Sequence, residues 1–290
     1  MRGLFDHSMS VGDAIGWGAT SLDESDGVFR NSRADATLLL RHVLQIPHAE
    51  LFAYRDRHLT TPQLQAFQAL IDQRLTGRPV QYITGEQEFF GLPFRVTPDV
   101  LIPRPETEHV VEAAIARLQG LSAPRIVDVG TGSGAIAVAL AHAMPRAEIV
   151  ALDISPAALS IAQENARRNE VGDRIQFVGS DLLAAVTGER FDAVVSNPPD
   201  VALSERASLA KEVRDFEPSS ALFAGPTGLE IFQRLVVDAA GVLGPGGLLL
   251  MEIGHGQRDA IAKLLHGWEG GEFIPDLQGI PRVAIACKRS

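Results

Sequence analysis

The fold of this chain is decided by the stretch Ile126-Val127-Asp128-Val129-Gly130-Thr131-Gly132-Ser133-Gly134. An apolar run of strand type ends there in a glycine-rich turn, and a helical pattern from Ala135 to Ala143 follows at once. Glycines let a backbone turn tightly and approach a ligand, and a helix start offers free N–H donors. The stretch therefore predicts a strand, turn and helix that bind a nucleotide-like cofactor through Gly130, Thr131, Gly132, Ser133 and Gly134.

The sequence around this unit alternates between strand and helix patterns, which is typical of a parallel sheet wrapped by helices. The predicted strands are Arg125 to Val129, Glu148 to Asp153, Arg174 to Val178, Phe191 to Ser196, Leu248 to Ile253, and a C-terminal pair near Phe273 and at Val283 to Cys287. The other predicted helices are Pro156 to Asn169 capped by Ser155, Leu229 to Val242 ended by Gly244-Pro245-Gly246-Gly247, and Gln257 to Leu265. We therefore expect an α/β fold with a Rossmann-like, mostly parallel sheet of seven strands.

The sequence before residue 108 has a different character. Apolar residues from about Ser32 to Leu75 fall at helical spacing, the pair Thr61-Pro62 marks a helix start, and Gly77-Arg78-Pro79 marks an end. Two short apolar runs around Gly91 then suggest a β-hairpin. The predicted organisation is a helical domain at 1–76, a linker with a β-hairpin at 77–107, and a cofactor-binding domain at 108–290.

Composition limits the classes of function. The chain has 290 residues and a net charge of −10, and a strongly acidic balance counts against nucleic-acid phosphate as the main ligand. No apolar run approaches the roughly 18 residues that span a bilayer, and Asp6 and His7 interrupt any signal-like start, so we expect the cytoplasm. The single cysteine, Cys287, and the absence of a ligand spacing among the eight histidines predict no disulfide and no metal.

Asp153 fits both nicotinamide and methyl-donor enzymes, and two further features, the glycine spacing and the segment at 180–182, indicate which nucleotide is bound. Asp153 ends the next strand, where a carboxylate can accept hydrogen bonds from both hydroxyls of a ribose. The glycine spacing lacks the G-x-G-x-x-G pattern expected around a pyrophosphate. Asp181 could accept from an adenine amino group, with Leu182 packed on the ring, although Asp181 as a helix cap is an equal alternative. The pattern favours S-adenosylmethionine over a dinucleotide.

The segment Val194-Val195-Ser196-Asn197-Pro198-Pro199-Asp200 follows the fourth strand, where open α/β sheets bind their ligands. Two prolines fix φ and remove two N–H donors, which leaves carbonyls that only accept hydrogen bonds. An amide nitrogen is a poor nucleophile and must be oriented. Hydrogen bonds from an amide NH₂ to the Asn197 side-chain oxygen and the Pro198 carbonyl would align it for attack on a methyl group, without a strong general base.

The tetrapeptide at 197–200 resembles the Asn-Pro-Pro-Tyr signature of methyltransferases that act on glutamine amides, adenine N6 or guanine N2. Further segments resemble the peptide chain release factor glutamine N5-methyltransferase family: Gln81-Tyr82-Ile83-Thr84-Gly85, Glu88-Phe89-Phe90, Leu101-Ile102-Pro103-Arg104-Pro105-Glu106-Thr107-Glu108, Glu217-Pro218-x-x-Ala221-Leu222, Gly228-Leu229, and Glu252-Ile253-Gly254 followed by Gln257. The resemblance extends from about Ser32 to Lys288.

The resemblance implies a class I methyltransferase sheet, and an enzyme that methylates the glutamine of the Gly-Gly-Gln motif in release factors. Donor binding by Gly130 to Gly134, Asp153, Leu182 and Asn197, and glutamine binding by Asn197 to Asp200, are implied in the same way. Arg104 and Glu106 either close one wall of the site or form a salt-bridged exit of the hairpin. The helical domain at 1–76 is expected to recognise the protein substrate, with a stabilising cap as the alternative.

Asp200 stands where the family has tyrosine. An aromatic side chain would pack on the flat amide, and aspartate offers no such area. We expect weakened turnover with donor binding kept. Two alternatives stay open: a nucleic-acid amino methyltransferase acting on adenine N6 or guanine N2, and a protein that binds the donor but has impaired turnover because of Asp200.

Overall fold

The computed structural model describes residues 9–25, 29 and 31–289. These residues form twelve α-helices, α1 to α12 in chain order: Val11–Asp23, Ser32–Leu44, His48–Ala53, Thr61–Leu75, Val80–Thr84, Glu108–Leu118, Ala135–Ala143, Pro156–Arg168, Lys211–Phe216, Ser219–Leu222, Glu230–Val242 and Arg258–Leu264. They also form eleven strands, β1 to β11: Glu86–Phe89, Leu92–Arg95, Arg125–Val129, Glu148–Asp153, Ile175–Gly179, Phe191–Ser196, Val201–Ala202, Phe223–Gly225, Leu243–Glu252, Glu269–Pro275 and Pro281–Cys287. The first eight residues of the predicted helical domain, with Asp6 and His7, lie outside the described residues. Of the described helices, none is long and apolar enough to cross a membrane.

The chain divides into two compact units, and the first comprises residues 1–85 and 211–216. Its core is built from the apolar faces of α1, α2 and α4, with Phe67 and Ile71 fully buried. The buried guanidinium of Arg74 bonds to Asp35 at 2.7 Å and to Glu212 at 2.8 Å, so it ties α9 to the helices of this unit. Helix α9 belongs here although it lies inside the range 108–290 predicted for the second domain.

Helix α1 was not predicted, since its three glycines lower helix propensity and hide the apolar pattern. Ser10 caps the helix by accepting a hydrogen bond from the Asp13 amide. Gly18 has a packing reason: a Cβ there would lie 2.9 Å from the Phe67 ring, closer than real Cβ contacts. Close packing of α1 on α4 therefore requires a glycine at the position that weakens the sequence signal.

The second unit comprises residues 86–210 and 217–290 and contains a seven-stranded sheet in the order β10-β11-β9-β6-β3-β4-β5. Strand β11 pairs antiparallel with both of its neighbours, β10 and β9. The pairings along β9, β6, β3, β4 and β5 are all parallel. The α/β prediction of a mostly parallel seven-stranded sheet is confirmed. Chain order reverses between β3 and β6, and such switch points bind ligands at the carboxyl ends of strands.

Three local expectations need correction. The cap of α4 is Thr60, with the capping box closed by Gln63, whereas the sequence pattern placed it at Thr61. Helical structure does not stop at Gly77-Arg78-Pro79, because α5 follows with Pro79 as its cap residue. The segment Gly244-Pro245-Gly246-Gly247 is part of β9 instead of a turn before it, because strand pairing with β6 already begins at Leu243.

The predicted β-hairpin is present as β1 and β2, but it belongs to the second unit and not to a linker between two domains. The fully buried side chain of Asn165 joins it to the glycine-rich turn. Its Oδ1 accepts from the Arg95 amide at 2.7 Å, and its Nδ2 donates to the carbonyls of Arg95 and Ser133 at 2.9 and 2.8 Å. Both ends of this buried amide are thus hydrogen-bonded, and together they link the hairpin to the turn.

Candidate active site

A cavity of about 360 Å³ opens at the carboxyl ends of β3, β4, β5 and β6 in the second unit. A ligand-sized cavity at the switch point of a parallel sheet is the expected place for a nucleotide. The predicted site residues that line it are Gly130, Thr131, Gly132, Ser133, Asp153, Asp181, Leu182, Asn197 and Pro199. The predicted site residues that do not line it are Gly134, Pro198 and Asp200.

The glycine-rich turn is shaped by left-handed backbone and close packing. Gly132 has φ +55° and its amide donates to Asp153 Oδ2 at 2.8 Å, so the turn is fixed to the end of β4. Gly134 has φ +83°, and a Cβ there would lie 3.1 Å from the Ala162 Cβ. Its role is therefore close packing of the turn on α8, which explains why it is buried and does not reach the cavity.

Asp128 stabilises the glycine-rich turn through hydrogen bonds. Its side chain is fully buried, and its Oδ2 accepts from the Thr131 hydroxyl at 2.7 Å and from the Ala137 amide at 3.2 Å. Within the described residues its Oδ1 has no hydrogen-bond partner. Burial raises the pKa of Asp128 to about 7, against the two hydrogen bonds that lower it, with Asp153 adding a smaller repulsion. The folded protein therefore favours the protonated acid.

We expect this carboxyl to make stability depend on pH. The pKa of Asp128 is about 7 in the folded protein, against 3.8 in the unfolded chain. Its contribution to the free energy of unfolding is therefore full below pH 3.8 and is lost as the pH rises through 7. Relative to Asp128→Asn, which cannot ionise, the wild-type unfolding free energy should fall by about 2–3 kcal/mol between pH 5 and pH 8. Urea unfolding of both proteins at the two pH values measures it; a constant difference would show an ordinary pKa for Asp128.

Asp153 presents its carboxylate to the cavity. Its Oδ2 accepts from the Gly132 amide and its Oδ1 from the Ser155 amide, each at 2.8 Å. A carboxylate has about four acceptor positions, so each oxygen retains one for a further donor. Beside it, Ile154 lines the cavity with 68% of its surface exposed, which offers an apolar face next to the acceptor. The pair suits a ribose and the flat base attached to it.

Asp181 and Leu182 also line the cavity. The Asp181 carboxylate pairs with Arg234 at 2.7 Å, with both side chains about half exposed. Leu182 has φ +48°, a conformation that non-glycine residues adopt rarely. The side-chain hydrogen bond to the following turn comes from Ser180, whose Oγ accepts from the Ala185 amide at 3.0 Å. Asp181 is therefore paired with the cation of Arg234, which also lines the cavity. The capping hydrogen bond that the alternative assigned to Asp181 is made by Ser180 instead.

The loop at 197–200 is held from several sides. Asn197 Nδ2 donates to Thr107 Oγ1 at 2.9 Å, and Pro198 is buried. Gln257 Nε2 donates to the Asp200 carbonyl at 2.8 Å, and the short parallel pair of β7 with β8 fixes the chain that follows. The loop is therefore rigid, with Asn197 and Pro199 on the cavity side.

The side chain of Asp200 is directed away from the cavity. Its Oδ2 would lie 2.5 Å from a Cβ built on Gly254, so the carboxyl occupies the space beside that glycine. Burial raises the pKa of Asp200 to about 6; Glu205 raises it further and Arg282 lowers it. The expectation that Asp200 contacts a ligand in this cavity is not met by the geometry, because packing against the end of β9 takes the side chain inward.

Arg104 lines the cavity and also forms an ion pair with Glu217, whose side chain is 1% exposed. The two alternatives for Arg104 are thus compatible in one arrangement. Glu106 does not line the cavity. Sequence reasoning did not select Thr107, Ile154, Arg234 or Glu252, although Thr107 and Glu252 stand in the segments that carry the family resemblance.

Comparisons with known proteins cover nearly the whole chain. Residues 13–85 match the model of the PrmC N-terminal domain, and residues 111–213 match the methyltransferase small domain. A release factor glutamine methyltransferase of Koribacter versatilis is 45% identical over 88% of this chain and 91% of its own length. One from Moorella thermoacetica is 41% identical over 97% of this chain and 99% of its own length.

Solved structures of similar fold include the T. thermophilus 16S rRNA N2 G1207 methyltransferase in complex with AdoMet and guanosine. It has a TM-score of 0.52 and 24% identity, over 70% of this chain and 50% of its own. The hMettl16 catalytic domain has a TM-score of 0.56 and 18% identity, over 81% of this chain and 85% of its own. At these identities the likeness establishes the fold alone.

Proposed function

This chain belongs to the family of release factor glutamine methyltransferases, and from that premise we propose that it methylates the side-chain amide nitrogen, N5, of the glutamine in the Gly-Gly-Gln motif of release factors. The methyl donor is S-adenosylmethionine. The observation that carries the proposal is the rigid Asn197-Pro198-Pro199 loop at a nucleotide-sized cavity, in a chain that matches a release factor glutamine methyltransferase over 97% of its length.

The cavity fits such a donor. Asp153 has acceptor positions left for ribose hydroxyls, and Ile154 and Leu182 provide apolar surface for an adenine. The glycine-rich turn brings backbone close to the cavity. When bound, the donor supplies an electrophilic methyl group, and its sulfur keeps the electrons of the broken bond. We propose no metal in this reaction.

The acceptor loop orients the glutamine amide. Asn197 Oδ1 accepts no hydrogen bond within the described residues, so it is available to one N–H of the substrate amide. The Pro198 carbonyl is proposed to take the other N–H. Two fixed acceptors hold the nitrogen in place and stabilise the positive charge that develops as the methyl arrives. The product amide then loses one proton to water.

The partner is a protein, the release factor, and the reaction belongs in the cytoplasm where that factor acts. We propose that the helices of the first unit recognise it, because a single glutamine offers too little surface for selection. The match of residues 13–85 to the PrmC N-terminal domain supports this role. No contact with nucleic acid is part of the proposal.

Mass spectrometry tests the proposal directly. A release factor carrying Gly-Gly-Gln is incubated with this protein and S-adenosylmethionine, next to a variant factor with Gly-Gly-Ala. We expect one added methyl group on that glutamine and none on the control. Ribosomal RNA and DNA in parallel incubations should stay unmodified; methyl transfer to either one, with none to the factor, would establish the nucleic-acid alternative.

Asp200→Tyr is expected to raise kcat several-fold. We expect the tyrosine ring, unlike the Asp200 carboxyl packed beside Gly254, to turn toward the cavity and offer an aromatic surface to the amide, and the substitution also removes a buried carboxyl from the end of β9. Asp200→Asn is the matched control, since it removes the charge without adding a ring. Initial rates with the release factor at saturating donor measure both. A tyrosine variant no faster than wild type would show that the loop has adapted to aspartate.

A further inference from the structure

The cavity of the second unit has to accommodate a donor with charges of both signs. S-adenosylmethionine carries two cationic groups, the sulfonium and the ammonium, and one anionic group, the carboxylate of its methionine. The acidic residues that line the cavity, Asp99, Asp153 and Asp181, suit the cationic groups. The carboxylate needs hydrogen-bond donors, because a charge that leaves water without partners is costly. The lining of the cavity therefore has to supply them.

The glycine-rich turn is the first place to look, because backbone N–H groups at such turns bind anions. Four of its five amides already donate hydrogen bonds within the protein, at 2.8 to 2.9 Å: Gly130 and Thr131 to the Leu152 carbonyl, Gly132 to Asp153, and Gly134 to the Thr131 carbonyl. The Ser133 amide makes no such bond within the described residues. A single amide is too few for the two oxygens of a carboxylate, so the turn is not sufficient.

Two arginines line the cavity, and they differ in the place of their counter-ions. Arg234 pairs at 2.7 Å with Asp181, which itself lines the cavity and is about half exposed. Arg104 pairs with Glu217, whose side chain is 1% exposed and does not belong to the cavity lining. Arg234 is therefore already opposed by a carboxylate in the cavity wall, whereas Arg104 has its counter-ion in the protein interior.

The guanidinium of Arg104 retains free N–H donors. One of its terminal nitrogens donates to Glu217 Oε1, and its side chain makes no other hydrogen bond within the described residues. A guanidinium has five N–H donors in a planar fork, which is enough for a second carboxylate. The Arg104 side chain is 33% exposed, so these donors are open to a ligand while Glu217 fixes the other edge of the fork.

Arg104 also lies at the appropriate end of the cavity. The Thr107 amide donates to the Arg104 carbonyl at 3.1 Å, and the Thr107 hydroxyl accepts from Asn197 Nδ2 at 2.9 Å. Arg104 is thus one turn away from the partner of the residue proposed to orient the glutamine amide. In the donor, the sulfonium joins the methionine to the ribose, so the methionine lies on the side of the reacting methyl group. With the adenine at Asp181, the carboxylate falls at the Arg104 end.

We propose that Arg104 is a donor-binding residue that forms an ion pair with the carboxylate of the donor's methionine, and that Glu217 is a positioning residue that holds the guanidinium. The inference rests on the proposed function and names the group that recognises the amino-acid end of the donor. It also gives Arg104 a role in selection. A nucleoside ligand without the carboxylate leaves the guanidinium unmatched and binds more weakly.

Titration calorimetry of the full-length protein tests the ion pair without any methyl transfer. The two ligands are S-adenosylmethionine and its decarboxylated analogue, which differ only in the carboxylate. We expect the wild type to bind S-adenosylmethionine about 10–100-fold more tightly than the analogue, the range for charge-assisted hydrogen bonds. In Arg104→Met we expect this preference to fall below about threefold, mainly through loss of affinity for S-adenosylmethionine.

Three further variants control the experiment. Arg234→Met removes the other arginine of the cavity and should leave the preference between the two ligands as in wild type, whatever its effect on both affinities. Glu217→Gln keeps Arg104 but releases the guanidinium, and it should lower the preference by several-fold. Arg104→Met leaves the buried Glu217 carboxylate without its cation, so Arg104→Met/Glu217→Gln replaces it if the single variant does not fold.

The possible outcomes separate this inference from the proposed function. A wild-type preference in the folded Arg104 variant would overturn the inference, and so would an equal loss of affinity for both ligands. Unchanged donor affinity with a raised KM for the release factor would assign Arg104 to the protein substrate instead. Mass spectrometry of the release factor tests the function by itself, because an enzyme can methylate the Gly-Gly-Gln glutamine with or without this preference for the carboxylate.

Discussion

Asn197→Ala is expected to lower kcat by about 10²–10³-fold at saturating donor and release factor. The substitution removes the acceptor that orients the glutamine amide and also removes the donor to Thr107. Misplacement of a poor nucleophile by a fraction of its bond-forming distance has effects of this size. The rate of methyl incorporation into the Gly-Gly-Gln peptide, measured by mass spectrometry, gives the value.

Donor affinity separates the two roles that the resemblance implies for Asn197. Titration calorimetry with S-adenosylmethionine should show a change in Kd that is much smaller than the change in kcat. Asn169→Ala is the matched control, because Asn169 bonds to the Pro93 carbonyl and does not line the cavity. A loss of donor affinity as large as the loss of rate, with kcat restored at high donor concentration, would assign Asn197 to donor binding alone.

Asp153→Ala should raise the donor Kd by roughly 10–100-fold, the size expected for hydrogen bonds between a charged acceptor and ribose hydroxyls. The loss has two parts in the structure. The carboxylate is the acceptor for the ribose, and it is also the acceptor for the Gly132 and Ser155 amides, so its removal loosens the glycine-rich turn. Titration calorimetry with S-adenosylhomocysteine measures the affinity without turnover.

Two variants interpret the Asp153 result. Asp153→Asn keeps one acceptor oxygen and should lose less affinity than the alanine variant. Asp173→Ala changes an exposed acid in the turn before β5, outside the cavity lining, and should bind the donor as wild type does. If Asp153→Ala bound the donor with unchanged affinity, the ribose would have to lie elsewhere in the cavity.

Local patterns were sufficient for several elements of the second unit. The strands β3, β4 and β6 and the helix α7 have the bounds that the sequence predicts, because each is a short apolar run bounded by polar residues or by glycines. The glycine-rich turn, Asp153 and Asn197 were found in the same way, since residues at the ends of consecutive parallel strands must meet at one edge of the sheet.

Where packing overrides the local sequence signal, the sequence predicted no helix or assigned the segment to the wrong unit. Glycines that allow α1 to approach Phe67 also weaken its helical pattern, so the helix was not predicted. Helix α9 is too short for a reliable period, and its place in the first unit follows from the bonds between Arg74 and Glu212, residues far apart in the chain. No local window contains both partners of such a contact.

What the sequence by itself determined is the α/β fold, the family, and the strand ends that carry the site residues, because these depend on periodicity and on motifs of adjacent residues. Only the tertiary structure decided which way the side chains point. Asp200 turns toward Gly254, Asp181 pairs with Arg234, and Asn197 meets Thr107 across ninety positions of sequence. Side-chain direction depends on partners brought together by folding, and those partners are distant along the chain.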